Sequence, residues 1–129
     1  MSSNPVFFWE INAHDGEKLS AFYNSVFDWG TEADDTGFHL IRSIDEGGKG
    51  VAGGIFTGKG QLPPHRALYV RVDSASEALE RARSAGANVL LESFEGPDGN
   101  ILAFFEDLEG HTIGLVEKKY HETQPRVLN

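Results

Sequence analysis

The stretch Val6-Phe-Phe-Trp-Glu-Ile-Asn-Ala-His-Asp-Gly-Glu-Lys-Leu-Ser-Ala-Phe-Tyr-Asn-Ser-Val-Phe27 changes its hydrophobic period halfway along. Up to Ala13 it alternates, with Phe7, Trp9 and Ile11 on one side and Phe8, Glu10 and Asn12 on the other, which is the period of a β-strand. Beyond Asp15, a side chain suited to cap a helix, the apolar residues Leu19, Phe22, Tyr23, Val26 and Phe27 fall at i, i+3, i+4, i+7 and i+8 and predict one helical stripe ending before Gly30. If the odd face of the strand is covered by this helix, the even face, with its glutamate and asparagine, must line another space.

Working outward, Gly37–Ser43 and Val51–Thr57 read as short strands around the loop Asp45-Glu-Gly-Gly-Lys-Gly50, which has neither the spacing nor the following helix of a phosphate-binding loop. The glycines and prolines of Gly58–Pro64 suit a connector. The plan then repeats. Ala67–Val72 alternates, Ser74 and Glu77 form a capping box for a helix through Ala78, Leu79, Ala82 and Ala85, and Gly86 closes it. Asn88–Phe94, Ile101–Glu106 and Thr112–Glu117 are strand candidates separated by turn signals. The expectation is an α+β fold of two β-α-β-β-β modules, forming an open, curled mixed sheet around a cavity with the helices outside. The first module takes about 5–57, a linker 58–64, the second module about 65–117 and a polar tail 118–129, all in one domain over 1–129. Phe8, Glu10, Asn12, Ala67, Tyr69 and Arg71 would face the cavity.

The whole chain has 129 residues, 20 of them acidic and 11 basic, for a net charge of −9, and no cysteine. Thiolate nucleophiles, disulfides, iron–sulfur clusters and zinc–thiolate sites are therefore excluded. Scattered positive charge on an acidic chain repels phosphate backbones, so nucleic acid is not expected as a partner. The apolar runs are far shorter than a membrane span, and Met-Ser-Ser-Asn-Pro at the start has no basic export region, so a cytoplasmic protein with no membrane contact is expected. His14, His39, His111 and His121 read as surface or structural residues.

The segment Glu10–Tyr23 continuing into Val26-Phe-Asp-Trp29, Tyr69-Val-Arg-Val-Asp73, Gly86-Ala-Asn-Val89, and the closing Ala103–Glu117 with its turn Asp107-Leu-Glu-Gly-His111 together resemble the vicinal oxygen chelate superfamily. That group holds glyoxalase I, extradiol dioxygenases, and bleomycin and fosfomycin resistance proteins, and the likeness covers almost the whole length. It implies four inward strand positions that carry His, Gln or Glu metal ligands in the metal-dependent members. In this sequence they fall on Phe8, on Gly54 or its neighbour Gly53, on Ala67 and on Gly114. None has a donor side chain. Glu10 with His65 would supply two ligands at most, so no metal and no cofactor are expected.

The resemblance then points to metal-independent binding of a small organic molecule in the cavity between the modules, as in the resistance-protein branch. Phe8 and Tyr69 would give apolar contact, and Glu10, Asn12 and Arg71 would orient polar groups. Glu10 and Arg71 could equally form an ion pair with each other. The alternative is a lyase, isomerase or dioxygenase of the glyoxalase type, with a rearranged metal site or with Glu10 as a general base, for which its pKa would have to be raised. A homodimer is expected, because curled sheets with free edges usually share surface with a copy of themselves.

Overall fold

The computed structural model describes residues 3–58, 65–96 and 98–117. Most of the linker Gly58–Pro64 and the tail 118–129 lie outside them. The chain is α+β and forms two compact units, one of Phe8–Arg66 and the other of Ala67 onward together with the residues before Phe8.

The first module runs β1 (Val6–Ala13), α1 (Gly16–Phe27), β2 (Gly30–Ala33), β3 (His39–Arg42) and β4 (Gly53–Thr57). Its strands lie in the order β2-β3-β4-β1, with β1 parallel to β4 and the other pairs antiparallel. Asp15 caps α1 as expected, its carboxylate accepting the Lys18 N–H at 3.1 Å. The helix stops earlier than Gly30, at Asp28, which takes up the left-handed conformation (φ 57°) and donates its N–H to the Asn24 carbonyl at 2.8 Å. Gly30 instead opens β2, an exposed edge strand that has no apolar alternation to announce it.

Ala13, Ile41 and Ile55 form the buried centre of this module, and Trp9, Ile11, Leu19, Tyr23 and Trp29 pack on it. The odd face of β1 therefore meets α1, as its alternation predicts. The helix presents a different stripe from the one expected. Its contact line runs through Gly16, Leu19, Ser20 and Tyr23, while Phe22, Val26 and Phe27 are 55%, 53% and 54% exposed. The rotation follows from close approach at the helix start, where the Gly16 N–H donates to Thr57 Oγ1 at 2.8 Å and a Cβ on Gly16 would lie only 3.0 Å from that oxygen.

The second module runs β5 (His65–Val72), α2 (Ala75–Ser84), β6 (Asn88–Glu95), β7 (Ile101–Glu106) and β8 (Thr112–Glu117), in sheet order β5-β8-β7-β6 with β5 parallel to β8. Ser74 caps α2 through the Glu77 N–H, and Gly86 follows the helix at φ 107°. Val72, Ala75, Ala78, Leu79, Ala103 and Leu115 make the core.

The turn before β8 is held by one carboxylate. Asp107 accepts the N–H groups of Glu109 and His111, each at 2.9 Å, and pairs with the His111 ring at 3.0 Å. The His111 N–H, then that of Glu109, hold its pKa below the ordinary aspartate value. The stability this contributes is complete above the ordinary aspartate range and is lost as the pH falls through the lowered folded value. Asp107→Asn is accordingly expected to unfold at lower denaturant than the wild type at neutral pH, with the two midpoints converging in strong acid. Urea titrations of both proteins across the acid range check this, and a gap independent of pH would contradict it.

Candidate functional site

Phe8, Glu10 and Asn12 are buried together on the even face of β1, with Glu10 only 1% exposed. A carboxylate so placed has to be served by neighbours or by a ligand. The strand register shows what stands beside it. Glu10 is paired with Gly54, and Trp9 with Gly53, so of the two positions that the resemblance left open Gly54 shares the face of Glu10 and Gly53 shares that of Trp9.

Both glycines lie under aromatic rings. A Cβ on Gly54 would fall well inside 3.0 Å of Phe38 Cζ, and one on Gly53 would fall as deep in the Trp9 indole. The second module repeats the device: Gly114 is paired with Tyr69, and a Cβ there would lie 2.8 Å from the Tyr69 ring and 3.1 Å from that of Phe104. Those two rings meet edge to face at 5.8 Å. The four positions implied as metal ligands are thus a phenylalanine, an alanine and two glycines roofed by rings. This donor set does not fit a metal ion, and no step is assigned to one. Among the described residues no three His, Asp or Glu side chains converge on a common point.

Tyr69 is fully buried. Arg71 lays its guanidinium over the Phe7 ring at 4.7 Å and keeps a buried Nε without a hydrogen-bond partner, while its backbone N–H donates to the Pro5 carbonyl at 2.9 Å. Asn12 likewise has a buried Oδ1 with no partner. A Cβ on Gly58 would strike that amide, so the backbone passes directly against it. Of the histidines, His14 and His111 are exposed, His39 is half-buried in β3, and His121 lies outside the described residues.

Sequence reasoning did not anticipate an open pocket of about 750 Å³ within the first module. It lies where the end of β1 meets the first two turns of α1, with His65 and Arg66 completing the wall. The one signal for it was the width of the apolar stripe on α1, too wide for the helix to bury all of it.

The family described as glyoxalase-like domain matches residues 9–116, and the chain belongs to it, within the vicinal oxygen chelate superfamily. Lactoylglutathione lyase from Salmonella typhimurium is 43% identical over 53 residues, covering 40% of this chain and 39% of that protein. The enzyme of the same name from Neisseria meningitidis serogroup A is 40% identical over 53 residues, covering 40% and 38%. The match spans about two fifths of these relatives' length. Among solved structures, a hypothetical protein from Bacillus halodurans C-125 has a TM-score of 0.65 at 17% identity, covering 95% of this chain and 100% of its own. Methylmalonyl-CoA epimerase from Streptomyces coelicolor has a TM-score of 0.58 at 16% identity, covering 92% and 100%. These likenesses establish the fold.

Proposed function

We propose that the protein binds a small organic molecule without a metal ion, using Phe8, Glu10 and Asn12 of β1, with Tyr69 and Arg71 serving the second module. The observation that carries this reading is the replacement of ligand positions by roofed glycines, which gives up coordination chemistry while leaving a buried carboxylate and a buried, unpartnered amide oxygen on one strand face. Such a face selects ligands by hydrogen bonds and apolar contact. Thermal-shift measurements against a panel of metabolites and antibiotics, with and without divalent ions, test it through ligand linkage. Stabilisation that a chelator leaves unchanged and Glu10→Gln abolishes is the expected result. Stabilisation that requires the metal would reject the proposal.

The names of the relatives favour a second reading, in which Glu10 removes a proton from carbon next to a carbonyl, as in a lyase or epimerase. Deuterium incorporation from heavy water into lactoylglutathione or methylmalonyl-CoA, lost in Glu10→Gln, would establish it. The chain would act in the cytoplasm, and no helix of the described residues is long and apolar enough to cross a membrane.

We also infer a twofold homodimer through the last turn of α1. No charged side chain occurs from Leu19 to Phe27, and Val26 and Phe27 stand exposed. A chain of net charge −9 meets a copy of itself with least repulsion where its own carboxylates are absent. Light scattering should give about twice 14.1 kDa, reduced to a single chain's mass in Phe27→Asp. A wild type that is monomeric at micromolar concentration would end this inference.

A further inference from the structure

The pocket at the start of α1 differs from the β1 face in both shape and charge. Leu19, Phe22 and Tyr23 give it an apolar wall, and Phe22 stays half-exposed because the helix buries the stripe next to it. Lys18 and Arg66 stand in the lining, exposed and outside the salt bridges of the described residues. In a protein of net charge −9 this is a local reversal of sign. Among the described residues the lining has one carboxylate, Asp15, which accepts the Lys18 N–H as the helix cap. Asn12 also reaches the lining, but its side chain belongs to the even face of β1, where Oδ1 is buried against the Gly58 backbone.

Taken together, an apolar wall and two cations define a ligand. We propose that this pocket binds a small amphipathic carboxylic acid, its body against Leu19, Phe22 and Tyr23 and its carboxylate towards Lys18 and Arg66. The site takes no side chain from the function proposed above and stands or falls by its own residues. The sign of the charge carries the assignment, since an amine of the same shape would meet Lys18 and Arg66 unscreened.

The test uses two probes of one size, 2-naphthoate and 2-naphthylmethylamine, titrated into the isotope-labelled full chain and followed by amide chemical shifts. The expected result is saturable shifts with the acid, confined to residues 11–23 and 65–66. The amine should produce none. Lys18→Glu combined with Arg66→Glu, both at exposed positions that leave the core untouched, should weaken the acid about tenfold. Shifts centred on Phe8, Glu10 and Tyr69 would place the acid on the other site and overturn this assignment while leaving the proposed function standing. Binding of the amine as tight as that of the acid, or no saturation at millimolar concentration, would also overturn it.

Discussion

Gly54→Ala is expected to destabilise the protein by about 2 kcal/mol, although alanine in a strand is ordinarily better than glycine by about 0.5–1 kcal/mol. The reversal comes from Phe38, which is buried and has its ring tip where the new methyl would sit. Neither side can yield cheaply, because β4 is hydrogen-bonded on both edges, to β1 and to β3. The same substitution made in a Phe38→Leu host should be neutral or favourable, since the methyl then enters vacated space. Gly54→His, which restores the donor type found in metal-dependent members of the family, should lower stability further and gain no metal. Urea unfolding of the two single variants and the double variant measures the coupling. Additive losses would mean that Phe38 can swing aside and that the ring does not bar the position.

Gly53→Ala should cost more, about 3–4 kcal/mol, because the methyl would displace an indole that is anchored. Trp9 Nε1 donates to the Val51 carbonyl at 2.9 Å and to Ser43 Oγ at 3.0 Å, and its ring lies 5.9 Å from that of Trp29. Expelling it breaks those bonds and opens the packing around Ile41 and Ile55. Tryptophan emission reports the event separately from stability: a red shift in the folded variant, with a lowered denaturation midpoint, is the expected pair of results. A midpoint within 1 kcal/mol of wild type and an unmoved spectrum would show that the strand absorbs the methyl by backbone shift.

The first strand was the most legible part of the chain. Alternation alone separated Trp9 and Ile11, which pack with α1, from Phe8, Glu10 and Asn12, because period two leaves only two faces to choose between. Both helix starts were equally plain, since Asp15 and Ser74 act through local hydrogen bonds. What failed was whatever depended on neighbours distant in sequence. β2 is missing from the sequence reading because an exposed edge strand of Gly-Thr-Glu-Ala needs no apolar residue. Of the stripe expected on α1, Leu19 and Tyr23 pack on the core while Phe22, Val26 and Phe27 stay exposed, because the approach of Gly16 to Thr57 cannot be seen in helical periodicity. Gly53 and Gly54 could not be told apart until the register with Trp9 and Glu10 was known.

The roofed glycines also bear on how this chain can change. Phe38 over Gly54 and the Tyr69–Phe104 pair over Gly114 are interlocked, so a ligating side chain at either glycine is compatible with the fold only if the ring above it shrinks in the same step. Stepwise mutation towards a metal-binding relative would have to cross an unstable intermediate at each of the two positions. Polar substitutions at Lys18 or Arg66, exposed and outside the core, meet no such barrier. Random single substitutions selected for new activity should therefore collect around the start of α1 and leave β4 and β8 untouched.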